Sequence, residues 1–206
     1  MATQEEIWDI EYKNDDNKWK KENTYLPDIL RDRNVLELGV GNGKTLLSIL
    51  KQKPKSITAI DFSQEAINIC KSNIKNKDVS LVKADVKCLP FRRETFDVII
   101  CYYILNNLKE KERLESIKEI FRVLRNKGVV IFEDFMVGDF RQKVGKIIEI
   151  NTIEKKSSLV QHFFTKLELT NLFNRFSTFQ FKEKSFLPFK NKKDIQRKII
   201  YGTIRK

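Results

Sequence analysis

Val35-Leu36-Glu37-Leu38-Gly39-Val40-Gly41-Asn42-Gly43-Lys44-Thr45 decides how this chain folds. It is an apolar run ending in an acid, then three glycines two residues apart, then the start of an apolar-periodic helix. Glycine serves where a backbone must turn tightly or lie close to a ligand with no Cβ in the way. In α/β chains, the turn between a first strand and its helix is where nucleotide-like ligands bind.

The glycine spacing narrows the ligand. A dinucleotide fingerprint needs G-x-G-x-x-G, whereas Gly39, Gly41 and Gly43 give G-x-G-x-G. Gly43-Lys44-Thr45 mimics the end of a phosphate-binding P-loop, but Leu38 stands where that loop needs its first glycine. Further on, Ile57-Thr58-Ala59-Ile60-Asp61-Phe62-Ser63 is a second short apolar strand closed by an acid. A carboxylate there accepts from both hydroxyls of a ribose. Leu81-Val82-Lys83-Ala84-Asp85-Val86, Phe96-Asp97-Val98-Ile99-Ile100-Cys101 and residues 119–132 repeat the alternation of strand and helix. Such alternation predicts a parallel sheet with helices on both faces.

The acid-x-Gly-x-Gly-x-Gly order resembles motif one of the class I S-adenosylmethionine (SAM)-dependent methyltransferases. The later blocks follow that family's order over residues 30–135. The resemblance implies a three-layer α/β/α sandwich with a mostly parallel seven-stranded sheet and an antiparallel last strand. It implies SAM as cofactor and S-adenosylhomocysteine as product. Glu37, Gly39, Gly41 and Gly43 would contact SAM, Asp61 its ribose and Asp85 its adenine amino group. Phe62 and Val86 would sandwich the adenine, and the strand end at Cys101 would face the methionine part. Trp8, Tyr12, Trp19 and Tyr25 form an aromatic set in a charged N-terminal segment, similar to the opening of several small-molecule methyltransferases. On that likeness residues 1–30 form a cap over SAM, with Trp19 or Tyr25 lining the pocket.

The remaining elements follow from local signals. Ser63 is a good N-cap for a helix carrying Ala66, Ile67, Cys70 and Ile74 on one face. Leu114, Ile117, Phe121 and Leu124 should point inward from a helix over residues 109–124. Thr165-Lys166-Leu167-Glu168 fits a capping box, so a helix should span residues 166–173. Residues 176–184 and 198–205 read as two closing strands. Residues 136–165 are the least regular and are expected to form a substrate-side loop and helix, since loops at the carboxyl ends of parallel strands carry the ligand site.

Composition fits one domain over residues 1–206. The acidic, polar opening does not resemble a signal peptide, and no apolar run approaches the roughly 20 residues of a membrane span. Three scattered cysteines and one histidine suggest neither a disulfide framework nor a metal site. The expected location is cytoplasmic. The net charge of +12 reflects 40 basic against 28 acidic residues. Nine basic and two acidic residues fall in residues 182–206, a charge suited either to RNA phosphates or to a solvated edge strand.

The acceptor is less legible. Cys101-Tyr102-Tyr103-Ile104 replaces the Asn/Asp-Pro-Pro-Tyr motif with which the family holds an amino group, and no Pro-Cys nucleophile is present. Tyr102, Tyr103 and Asn106 are the candidate acceptor-side residues. His162 is the candidate base, because imidazole titrates near neutrality. A small-molecule acceptor is the first expectation. A modified tRNA nucleoside is the alternative, since Gln161-His162-Phe163-Phe164-Thr165 resembles a stretch of the wobble-uridine carboxymethyl methyltransferases. A non-catalytic SAM-binding subunit is a third.

Overall fold

The computed structural model describes residues 3–14, 26–74, 78–188 and 195–206. Helix α1 (Gln4–Lys13) precedes an alternating run: β1 (Asn34–Leu38), α2 (Lys44–Lys51), β2 (Ser56–Asp61), α3 (Gln64–Asn73), β3 (Val79–Lys83), β4 (Phe96–Tyr102), α4 (Glu110–Val123) and β5 (Leu124–Phe135). Next come three short strands, β6 (Lys146–Glu149), β7 (Thr152–Glu154) and β8 (Val160–His162), then α5 (Lys166–Leu172) and the hairpin β9 (Thr178–Phe186) and β10 (Arg197–Arg205).

The main sheet has seven strands in the order β3-β2-β1-β4-β5-β10-β9. β1 to β5 are parallel, and β10 runs antiparallel to both β5 and β9. This is the expected fold. The strand order reverses between β1 and β4, so a crevice opens at their carboxyl ends, where open α/β sheets bind ligands.

Alternation along each strand divides the core into two layers. Leu36, Leu38, Ile99, Cys101, Val130 and Phe132 face α4 and α5, meeting Ile117, Ile120, Leu169 and Phe173. Val35, Val98, Ile100 and Ile131 face α2 and α3, meeting Leu46, Ile49, Ile67 and Cys70. Phe132 is the hub of the first layer, with edge-on contacts to Phe164, Phe173 and Phe181 at centroid distances of 5.9, 5.7 and 6.1 Å. Burying one such ring contributes about 1.5–3 kcal/mol.

Three expectations need correction. Leu114 does not point inward: it is 48% exposed, and the buried face of α4 runs instead through Arg113, Ser116, Ile117, Ile120 and Val123. Arg113 reaches the interior because its Nη1 donates to the Leu108 carbonyl at 2.7 Å and its charge lies near Glu149 and Glu168. Residues 136–165 are not a loop and helix. After one 3-10 turn at Phe140–Lys143 they form an antiparallel sheet in the order β6-β7-β8. The capping box of α5 is only half formed. Thr165 Oγ1 accepts from the Glu168 backbone N–H at 3.1 Å, but the Glu168 carboxylate turns to His162.

Candidate active site

The glycine turn is shaped by close approach. Gly39 has φ +69, and a Cβ on it would lie 2.0 Å from Ile104 Cδ1. Gly41 has φ +52, and a Cβ on it would lie 3.1 Å from the Tyr12 hydroxyl oxygen. Both positions are in the left-handed region that favours glycine. Gly43 is the N-cap of α2 and supplies no side-chain cap, and the Lys44 N–H donates instead to Asn42 Oδ1 at 3.3 Å.

Asp61 ends β2 and braces this turn. Its Oδ2 accepts from the Gly41 N–H at 2.9 Å and its Oδ1 from the Ser63 N–H at 3.0 Å. Each oxygen keeps a further lone pair for a ligand hydroxyl. Burial raises the Asp61 carboxyl above its usual range, against the lowering effect of those backbone donors. Glu37, at 3% exposure, is nearby in charge terms, and its Oε2 has no hydrogen-bond partner. Burial and the Asp61 charge push the Glu37 carboxyl well up. Two buried acids, one with an orphaned oxygen, suit a ligand carrying hydroxyls and positive charge.

Helix α1 lies over this turn. Thr3 and Glu6 form a reciprocal capping box at its start. Asp9 accepts from the Ser63 hydroxyl and, at 3.2 Å, from the Glu65 N–H at the start of α3, while Glu5 pairs with Lys83. These contacts bring Tyr12 above Gly41. Burial and the Asp61 charge raise its hydroxyl well above the usual tyrosine value. Tyr12 belongs to the aromatic set seen in the sequence but was not its expected pocket residue. Trp19 and Tyr25 lie outside the described residues.

Phe62 is half-buried directly after Asp61, and Val86 is 8% exposed. Asp85 lies between them in the chain, its Oδ1 accepting from the Lys87 N–H at 2.9 Å. Cys101 is fully buried at the end of β4, and burial and Asp134 hold its thiol well up.

On the acceptor side, Tyr103 sits at φ +55, a conformation rarely taken by a bulky side chain. Its hydroxyl donates to Glu133 and its ring lies 4.9 Å from that of Phe135. Tyr102 turns instead into the layer of Val35, Val98 and Ile100. Asn106 is buried, donates its N–H to Asp134 Oδ2 at 3.1 Å, and leaves both carboxamide atoms without a good partner. Asp134 is completely buried, and burial raises its carboxyl to about 8.

His162 stands on β8 at 1% exposure. Nδ1 meets Thr152 Oγ1 at 2.8 Å, and Nε2 meets Glu168 Oε1 at 2.8 Å. With both nitrogens engaged, the ring ties the small sheet to α5 and presents no free lone pair. The polar group around it, Arg113, Glu149, Thr152 and Glu168, was missed in the sequence because its members lie on four separate elements. Among the described residues no group of three or more His, Cys, Asp or Glu is placed to hold a metal ion, and no helix is long and apolar enough to cross a membrane.

Residues 35–128 match the methyltransferase domain family. Over that stretch the chain is similar to the SAM-dependent methyltransferases. It is 28% identical over 191 residues to the tRNA N(3)-methylcytidine methyltransferase Mettl2 of Drosophila melanogaster, a match spanning 81% of this chain and 59% of that protein. It is 26% identical over 150 residues to the ubiquinone/menaquinone biosynthesis C-methyltransferase UbiE of Wigglesworthia glossinidia brevipalpis, spanning 69% of this chain and 59% of that one. The chain therefore spans about three-fifths of the length of these curated relatives. A SAM-dependent methyltransferase structure from Methanosarcina mazei shares the fold with TM-score 0.74 and 23% identity, covering 88% of this chain and 94% of its own. The family's cofactor is SAM.

Proposed function

We propose that this methyltransferase moves the methyl group of SAM to a small-molecule acceptor. The observation that carries the reading is the Asp61 brace of the Gly41 turn beside the orphaned Glu37 oxygen, open at the carboxyl ends of β1 and β4. Gly39, Gly41 and Gly43 let the backbone approach the cofactor, and Asp61 accepts from its ribose hydroxyls. Glu37 offsets its positive charge. Asp85 faces the adenine amino group, with Phe62 and Val86 on either side of the ring, and Cys101 floors the methionine end. Helix α1 closes over the cofactor with Tyr12 as its inward residue. Residues 136–165 wall the acceptor.

Bound SAM supplies an already activated methyl group, so the protein's task is to align an acceptor atom with it and exclude water. Such positioning contributes up to roughly 7–11 kcal/mol. Tyr103 and the Phe135–Phe163 layer under β6–β8 are placed to orient the acceptor. A support for this reading lies in the basic C-terminal residues. Lys206 donates to the carbonyls of Phe121 and Leu124, so part of that charge is spent within the fold.

An RNA acceptor is the second reading, favoured by the similarity to Mettl2 over 81% of the chain. Incubation with methyl-labelled SAM and cell extract, followed by separation of RNA, protein and small molecules, distinguishes the two. Label among small molecules supports the first reading. Label in RNA, with affinity falling steeply in salt, supports the second.

A further inference from the structure

Around Phe135, at the end of β5, several buried polar atoms are left unsatisfied. The guanidinium carbons of Arg141 and Arg197 lie 4.6 and 5.4 Å from the Phe135 ring centroid. Arg141 Nη1 and Arg197 Nε are buried without a hydrogen-bond partner. Gln161 is 4% exposed, and its Oε1 is likewise unpartnered. Gln161 pairs in register with Ile153 on β7 and stands two residues before Phe163, so it shares their face. Ile153 and Phe163 pack with Phe135 and Tyr103. The orphaned atoms therefore border one small apolar layer.

The acids nearby do not satisfy the guanidiniums. Asp139 is buried, but its oxygens accept from the backbone N–H groups of Arg141 at 3.0 Å and Lys198 at 2.9 Å. Its Oδ1 comes only to 3.5 Å from Arg141 Nη1, an ion pair without a hydrogen bond. Glu133 is engaged by the Tyr103 hydroxyl. The Arg141 guanidinium is pushed down to about 10, by burial first and then by the like charge of Arg197. Two like charges brought together with open donors are costly unless an anion joins them. An arginine fork matches a planar carboxylate or a phosphate.

The location is next to the glycine turn. Tyr103 touches Phe135, and the next residue, Ile104, fills the space against Gly39. We infer that Arg141 and Arg197, with Gln161 and the Phe135 ring, form a subsite for an oxyanion group of the acceptor. It holds the carboxylate or phosphate end of a small acidic molecule while another atom of that molecule faces the methyl group. The inference rests on the small-acceptor reading above.

The test is calorimetric titration of the full chain, loaded with S-adenosylhomocysteine, with benzoate and separately with inorganic phosphate. Benzoate binding that falls about tenfold or more in Arg141→Gln and in Arg197→Gln is the expected result. Arg141→Lys, which keeps the charge but loses the fork, should fall between wild type and Arg141→Gln. Unchanged S-adenosylhomocysteine affinity shows that each variant is folded. Binding of phosphate but not benzoate, with the same losses, keeps the subsite and assigns it to a phosphorylated acceptor. Failure of both probes to bind, or equal binding to wild type and variants, overturns the subsite. So does a result in which only a short RNA stem-loop loses affinity in the variants. Wild-type protein that binds benzoate through the arginines but not S-adenosylhomocysteine would support the subsite and overturn the methyltransferase reading.

Discussion

His162 Nε2 lies 2.8 Å from Glu168 Oε1, joining the last strand of the small sheet to the first turn of α5. The opposite nitrogen is held by Thr152, and Glu168 also faces Arg113 at 3.7 Å. His162→Ala should therefore cost stability, about 1–3 kcal/mol for the buried groups left unpaired. SAM affinity should stay as in wild type. Urea unfolding and equilibrium binding check both. A large fall in kcat with unchanged stability would instead make His162 a catalytic base.

Asp61→Ala removes the acceptor for the Gly41 and Ser63 N–H groups together with the proposed ribose contact. SAM binding should weaken about tenfold or more, since roughly 1.4 kcal/mol is a factor of ten. Titration of SAM against a variant shown to be folded by circular dichroism reads the effect. Wild-type affinity would remove Asp61 from the cofactor site.

Tyr12 and Gly41 are coupled across the site. Gly41→Ala places a Cβ 3.1 Å from the Tyr12 oxygen and holds alanine at φ +52. The left-handed backbone alone costs about 1–2 kcal/mol. Tyr12→Ala should relieve the contact but not the backbone strain. A double-mutant cycle on SAM affinity should therefore show non-additivity, in the range of about 0.5–3 kcal/mol for contacting residues. Strict additivity would mean that α1 does not close over the turn when the cofactor is bound.

The unequal legibility of the chain has physical causes. Gly39, Gly41 and Gly43 act within one strand–turn–helix unit, Asp61 closes the next strand, and Ser63 caps α3 locally through the Ala66 N–H at 3.1 Å, so a linear pattern carries their roles. The small sheet is built from strands of three and four residues, and Ile147 is 77% exposed, so alternation has little length in which to show. The face of α4 differs from the expected one because Arg113 is buried beside Glu149 and Glu168, which lie on elements far along the chain. Glu168 satisfied the capping pattern in sequence, yet a buried imidazole competes for the same carboxylate. Arg141, Arg197 and Gln161 carry no local signal, since only the return of β10 beside β5 brings Arg197 near Phe135.

Asp134 gives the fold a pH dependence. Its folded carboxyl titrates at about 8, raised by burial, against an ordinary value of 3.8. The native state then holds a proton that the unfolded chain has lost, so this group's contribution to stability falls as pH rises from about 4 to about 8. In Asp134→Asn that component is absent. The variant should be less stable than wild type at pH 5, because its amide cannot accept from both Phe135 and Asn106 N–H groups. The deficit should shrink toward pH 8. Urea unfolding across this range tests it, and a deficit that grows with pH would contradict the sign.

Glu37 links cofactor binding to protons. Its carboxyl is held well above the usual range by burial and by the Asp61 charge, and one of its oxygens is orphaned. A cationic ligand favours the ionised form and lowers the bound-state pKa, so binding expels a proton. SAM affinity should therefore rise with pH through the window between the bound and free values of this group. S-adenosylhomocysteine lacks the sulfonium charge and should show a shallower rise. Glu37→Gln should flatten the difference between the two ligands and weaken SAM more than S-adenosylhomocysteine. Calorimetry in buffers of different ionisation enthalpy counts the protons directly. Equal proton release for the two ligands in wild type would mean that Glu37 does not sense the sulfonium.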